Sequence, residues 1–314
     1  MSVILHGRVV KAISGFFTVE TEKGPVVAHL PGRLKKEWRD TSLVAVGDLV
    51  TVSLREDGAG IIETIAPRKS TLSRARPSSR SRHLASDQEQ VLVANLDQVV
   101  FVFAAKKPRP SLRKLDRFLV VAEMNKLTAV ICVNKIDLTG LEKARQMFNL
   151  YEEIGYRVIY TSVPERRGID ELRALLKDKI TVFAGSSGVG KSSLLNVIQP
   201  GLGLKVSEVS RASGKGVHTT RYAELFPLDF GGYVADTPGI RGLALFDVEP
   251  AELDAYFREI APYVADCRFS DCSHRHEPGC AVRPAVKQGK ISRRRYESYL
   301  RLREEHEALD KAIF

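Results

Sequence analysis

The residues with the clearest chemical purpose lie at 181–192 and read Thr-Val-Phe-Ala-Gly-Ser-Ser-Gly-Val-Gly-Lys-Ser. Gly185 and Gly190-Lys191-Ser192 have the G-x-x-x-x-G-K-S spacing of a phosphate-binding loop. An apolar run precedes the loop, and the helix-compatible Ser193-Leu194-Leu195-Asn196-Val197-Ile198 follows it. Glycines let the backbone wrap a polyphosphate, so that the amides of Ser186, Ser187, Gly188, Val189 and Gly190 point inward. The helix N-terminus at Ser193 adds positive potential. Lys191 is expected to reach the β- and γ-phosphates, and Ser192 to ligate Mg²⁺.

A second group has the chemistry to choose the base. Asn134-Lys135-Ile136-Asp137 follows the apolar run Ala129–Val133, at the strand end where α/β sheets bind ligands. A carboxylate at Asp137 accepts from both N1–H and the exocyclic amine of guanine, and adenine offers no such donor pair. Asn134 and Lys135 are expected to brace the base and the phosphate loop. The next apolar run ends in Tyr160-Thr161-Ser162-Val163, like the Ser-Ala element whose amide reads the guanine oxygen, with Val163 in place of the usual Ala. Asp236-Thr237-Pro238-Gly239 closes a further run and fits an Asp-x-x-Gly element, with Asp236 on the Mg²⁺ side and the Gly239 amide toward the γ-phosphate. Thr220, with Thr219 as the alternative, is expected to close over the metal and γ-phosphate. The residue after Gly239 is Ile240, where many GTPases carry a Gln to orient water, so basal turnover is expected to be low. His218 is the candidate within this chain for that task, packing being its alternative role.

A third group is metal chemistry. Cys267, Cys272 and Cys280 fall within fourteen residues, interleaved with His274 and His276, and Cys132 lies far away in an apolar run. Three thiols and an imidazole form a closed tetrahedral set for structural Zn²⁺. Clustered thiols of this kind are poor material for a disulfide framework.

The elements that must position these groups follow from pattern. Residues 1–68 read as five short strands, near 7–13, 16–21, 25–30, 48–54 and 60–63, separated by turn residues, which predicts an OB-type β-barrel. Within it, Arg33, Lys35, Lys36 and Arg39 surround Trp38 as a candidate RNA contact or an amphipathic connector. Residues 69–90 carry five Lys/Arg against two acids and no hydrophobic period, and are expected to form a basic linker. From 91 to 244, strands at 98–104, 128–133, 157–161 and 180–184 alternate with helices near 111–126, 139–154 and 168–178. That alternation predicts a parallel sheet with helices on both faces, to which a hairpin at 222–236 is added. Residues 203–219 lack any period and are expected to be mobile without a partner. Residues 245–314 read as a helical segment interrupted by the cysteines.

The 314 residues carry a net charge of +10, with eight Lys/Arg against one acid in 283–303, including Arg293-Arg294-Arg295-Tyr296 and Arg301 facing either RNA or solvent. Such clusters attract polyanions. No apolar run approaches the roughly 20 residues of a membrane span, and the start Met1–Gly7 lacks the pattern of a signal peptide, so a cytoplasmic address without a membrane partner is expected.

The order of the motifs is the most distinctive feature. The guanine motif at 134–137 precedes the phosphate loop at 185–192, the reverse of ordinary GTPases, so the domain reads as circularly permuted. A permuted sheet is viable where the old termini lie close at the surface. Permuted order, an N-terminal barrel and the Cys-x₄-Cys-x-His-x₅-Cys segment together resemble the RsgA family over the whole length of the chain. The resemblance implies ribosome-stimulated hydrolysis of GTP to GDP and phosphate, late maturation of the small ribosomal subunit with its rRNA as partner, and a monomer. It also favours His274 over His276 as the fourth zinc ligand. The competing readings are a binder in which GTP mainly holds a conformation, and a GTPase directed at DNA or tRNA.

Overall fold

The computed structural model describes residues 3–31, 43–55, 58–76, 88–202, 223–236 and 249–313. In the first segment, alternating Val, Ile, Phe and Thr form β1 (Val3–Ile13), β2 (Phe16–Thr21), β3 (Gly24–His29), β4 (Leu49–Leu54) and β5 (Gly60–Ile65). They close in the order β1-β2-β3-β5-β4, with β4 returning to β1. Every second side chain points inward, and Val9, Val19, Val52 and Ile62 are fully buried in the barrel core. This is the five-stranded barrel that the strand spacing predicts.

The expected linker departs from its reading. Thr71–Arg76 is a strand, β6, paired antiparallel with β7 (Gln88–Ala94), so ordered pairing begins inside 69–90 and β7 straddles its end. Leu72 and Val93 are buried in the main core with Val46 of the barrel segment. One apolar anchor in six residues is too little to read as a strand without its partner in view.

The central sheet has the order β10-β9-β8-β11-β13-β12, where β8 is Gln98–Ala104, β9 Thr128–Asn134, β10 Arg157–Thr161, β11 Ile180–Ala184, β12 Glu224–Pro227 and β13 Tyr233–Asp236. All these neighbours are parallel except the β12–β13 hairpin. Strand β8 is buried at all seven positions and divides its side chains between two cores. Phe101 and Phe103 face α1 (Leu112–Met124) and α2 (Leu141–Glu153), while Val100 and Val102 face α3 (Ile169–Leu176) and α4 (Lys191–Ile198). Burial on both faces explains why the strand is apolar without alternation. Helix α1 starts at Ser111, whose side chain accepts from the Lys114 amide, and its buried Leu115, Phe118, Leu119 and Ala122 repeat at helical spacing.

Strand β12 also pairs with β1 at Lys11↔Glu224, reinforced by a 2.8 Å ion pair, so barrel and central sheet form one eleven-stranded sheet. The C-terminal segment holds α5 (Ala261–Val264), α6 (Val282–Lys287) and α7 (Arg293–Ile313). It packs on the α1 face, where Leu253, Phe257, Ile260, Tyr299 and Leu302 join the core that contains Leu115 and Phe118. Among the described residues, no helix is long and apolar enough to cross a membrane.

The Arg-rich start of α7 is where the sequence reading is corrected. Arg295 is fully buried and faces neither RNA nor solvent. It donates from Nη1 to Asp116 Oδ1 at 2.7 Å and from Nε to Glu259 Oε1 at 2.5 Å, with its guanidinium 4.5 Å from the Phe257 ring centre. Burial works against its charge, but Asp116 and Glu259 outweigh burial and raise its pKa above the ordinary guanidinium value. Burial, reinforced by Asp116, likewise pushes the Tyr151 phenol above its usual range, so it stays protonated and donates to Asp116 Oδ1 at 2.7 Å. This cluster ties α7 to the sheet-covering helices α1 and α2.

Candidate functional site

The loops after β8, β9, β10 and β11 emerge at the same C-terminal edge of the sheet, and the helices after β8 and β11 pass to opposite faces. The resulting crevice is where open α/β sheets take ligands. The phosphate loop, residues 185–190, lies in it and leads into α4 with Gly190 as N-cap. Gly185 has φ 154°, and a Cβ there would stand 2.3 Å from Val102 O. At Gly190, φ is 100° and a Cβ would stand 2.3 Å from Asn134 Nδ2. Both positions therefore exclude a side chain, by conformation and by space. Lys191 Nζ donates to Gly185 O at 2.7 Å and Ser186 O at 3.0 Å, which holds the ammonium against the loop.

The base-reading motif is bonded directly to this loop. Asn134, 2% exposed, donates from Nδ2 to Val189 O at 3.0 Å and accepts at Oδ1 from the Thr161 hydroxyl at 3.1 Å. Lys135 sits in left-handed backbone at φ 64°, and its Nζ donates to Gly188 O at 2.6 Å and Lys107 O at 2.7 Å. A non-glycine residue in this conformation persists where its surroundings hold it, a pattern concentrated at functional sites. The Ser162 hydroxyl donates to Asp137 Oδ1 at 2.8 Å and aligns that carboxylate. The Ser162 amide donates to Arg167 O at 3.1 Å, so it is already committed within the chain.

Sequence reasoning placed Thr161 in the base-reading element without its bond to Asn134, and it missed Lys114. Thr161 links Asn134 to β10, and Lys114 at the start of α1 places its Nζ 3.4 Å from Ser186 Oγ. The helical reading of 111–126 was the available signal for Lys114, but only the fold brings it to the loop. Strand β13 runs parallel to β11, with Val182 opposite Ala235, which brings the backbone of Asp236 to the same sheet edge. The Asp236 side chain, and His218, Thr219, Thr220, Gly239 and Ile240, lie outside the described residues, as do Arg33, Lys35, Lys36, Trp38, Arg39 and 203–219.

The second site is the cysteine segment. The ligand atoms of Cys267, Cys272, His274 and Cys280 lie within 4.8 Å of one another. His274 Nδ1 is 3.6 Å from Cys267 Sγ and 3.5 Å from Cys280 Sγ. A tetrahedral Zn²⁺ with ordinary bond lengths requires S···N separations of about 3.5 Å, so the four groups fit the ion. His274 Nε2 lies 2.9 Å from Asp254 Oδ2, and since a carboxylate accepts, the proton sits on Nε2 and the Nδ1 lone pair faces the thiols. His274 is fully buried whereas His276 is exposed, which distinguishes the two imidazoles. Glu277 accepts from the amides of Ser273, Arg275 and His276 and from the Ser273 hydroxyl. Burial alone would raise its pKa, but these donors hold the carboxyl well below its usual range. Asp254 and Glu277 were not singled out from the sequence, where Asp254 stands 20 residues from its histidine.

Comparison with known proteins agrees with this geometry. The RsgA GTPase family profile matches residues 65–246, and the RsgA N-terminal domain matches residues 6–62. A relative from Caldanaerobacter subterraneus subsp. tengcongensis, named small ribosomal subunit biogenesis GTPase RsgA, is 44% identical, covering 98% of this chain and 97% of its own. One of the same name from Gemmatimonas aurantiaca is 44% identical, covering 97% and 98%. The crystal structure of YjeQ from Thermotoga maritima superposes with a TM-score of 0.78 at 38% identity, covering 97% of this chain and 99% of that one. That of YloQ, described as a circularly permuted GTPase, has a TM-score of 0.75 at 32% identity, covering 98% and 96%. With a permuted nucleotide corner and near full-length likeness, the chain belongs to the RsgA GTPase family.

Proposed function

We propose that this protein hydrolyses GTP in the late maturation of the small ribosomal subunit. The observation that carries the reading is the bonding of Asn134, Lys135 and Asp137 to the phosphate loop and Ser162, which couples a guanine reader to a phosphate cradle. The relatives' name, small ribosomal subunit biogenesis GTPase, supports the choice of partner.

Asp137, aligned by Ser162, takes the two guanine donors, and Asn134 and Lys135 fix the distance between base and phosphates. Because the Ser162 amide is committed to Arg167 O, reading of the guanine oxygen falls to the amide of Val163. The amides of residues 186–190 and the Lys191 ammonium hold the β- and γ-phosphates. Ser192, in the first turn of α4, and Asp236, at the end of β13, are the residues to hold Mg²⁺, which supplies charge neutralisation of the phosphates when bound. Thr220 and Gly239 complete the γ-phosphate side, and His218 is our candidate to orient water in the absence of a Gln at 240. Cys267, Cys272, His274 and Cys280 hold a structural Zn²⁺, which leaves no open coordination position and so has no part in hydrolysis. We assign 1–68 to the barrel, 69–90 to a basic connector, 91–244 to the GTPase and 245–314 to the zinc segment.

The test is GTP turnover with purified small subunits, large subunits and naked RNA. Small subunits alone are expected to stimulate hydrolysis by roughly 10³-fold or more, the scale seen where a partner completes a GTPase site. Equal stimulation by any polyanion would reject the ribosomal assignment.

A further inference from the structure

A second charged recess lies away from the nucleotide corner. The start of α1 and the first turns of α7 line an open recess of about 350 Å³ whose wall includes Ser111, Arg113, Asp116, Arg294, Glu297 and Arg301. Its charges do not cancel within the wall. Asp116 is engaged by Arg295, Tyr151 and Ser298, and Glu297 pairs with Arg293 at 3.0 Å. Among the described residues, no carboxylate lies within ion-pair distance of Arg113, Arg294 or Arg301.

Arg294 is held firmly in the wall of this recess. Its Nε and Nη2 are sealed from water without a hydrogen-bond partner, and its guanidinium rests 5.1 Å from the Tyr151 ring centre. Those two donors are turned into the protein, so the side chain is fixed against the Tyr151 ring and meets the recess through its remaining atoms. Ser111 caps the thirteen-residue α1, whose first turn has no acid, and the positive end of that helix opens on the same recess.

We propose that this recess is a binding site for a phosphate-class anion, with Arg113 from α1 and Arg294 and Arg301 from α7 as its cations. Planar guanidinium groups suit phosphate oxygens better than they suit a spherical halide. The volume admits a phosphate ester or a pyrophosphate as well as inorganic phosphate. An anion here bridges the GTPase face to the C-terminal helix. It sits one residue from Lys114, whose Nζ lies 3.4 Å from Ser186 Oγ in the phosphate loop.

The test uses the full chain loaded with GDP and Mg²⁺, with loading established by its own isotherm, so that the phosphate loop is filled. Inorganic phosphate, pyrophosphate and a short single-stranded RNA are then titrated by calorimetry. Saturable, salt-sensitive phosphate binding is expected, weakened roughly tenfold or more in the Arg113→Gln/Arg301→Gln double variant, since hydrogen bonds to charged groups are each substantial. Arg113→Gln alone, at an exposed position, gives a smaller loss in the same direction. Arg157→Gln, an exposed cation paired with Glu171, leaves binding unchanged. Competition between RNA and phosphate assigns the site to a nucleic-acid backbone, phosphate binding without competition assigns it to a free anion, and either keeps the proposal. Absence of saturable phosphate binding, or equal binding by the double variant, overturns it.

Discussion

The nucleotide corner and the cysteine segment are both built around a ligand, yet they are held in opposite ways. In the corner, the protein's own bonds join three loops: Asn134 to Val189, Lys135 to Gly188, and Ser162 to Asp137. Two of those loops leave β9 and β11, which are buried along nearly their whole length, so the sheet fixes their spacing. The cysteine segment stands on no strand. Three thiols and an imidazole converge on one point, and Asp254 and Glu277 orient the loop around it. A site hung on a sheet is formed before its ligand arrives, whereas a loop without a sheet takes much of its order from the ion.

Removing the metal breaks this contrast most severely. Structural zinc in small domains has apparent binding free energies of about 10–16 kcal/mol, so chelation or Cys272→Ala should expose the amides of 250–313 while those of the central sheet stay protected. Hydrogen exchange resolved by segment makes the comparison directly. Next in size is Arg295→Met. It leaves Asp116 and Glu259 without their buried cation and should destabilise the protein by about 3–5 kcal/mol, measured by denaturant unfolding. Lys191→Ala tests the other region. Turnover should fall by roughly 10²–10³-fold, the scale for losing one preorganised contact to developing charge, with the melting temperature unchanged. The smallest effect is expected from Asp254→Asn, which keeps the fold but removes the carboxylate that orients His274. Zinc affinity should drop by about 10–100-fold in a competition titration with a chromophoric chelator.

The two regions were also unequally legible in the sequence. The corner was readable because its chemistry rests on short contiguous motifs, and because the apolar runs at 98–104 and 128–133 mark doubly covered strands. The zinc ligands were readable by residue type, but their braces were not, since Asp254 is joined to His274 only by folding. Arg295 shows the same limit more sharply. Three consecutive arginines read as a solvated or RNA-facing patch, yet the middle of the fold supplies Asp116, 179 residues earlier, and turns one of them inward. Strand β6 escaped because pairing with β7, not an apolar pattern of its own, makes it a strand.

The central claim is that Asp137, aligned by Ser162, selects guanine in a site assembled before the nucleotide binds. The most direct measurement is the affinity of wild-type and Asp137→Asn protein for GTP and xanthosine triphosphate, by equilibrium titration. The wild type should prefer GTP, and the variant should prefer xanthosine triphosphate, because its amide donates where the carboxylate accepted and the xanthine oxygen accepts where the guanine amine donated. An unchanged preference for GTP in the variant would contradict the account.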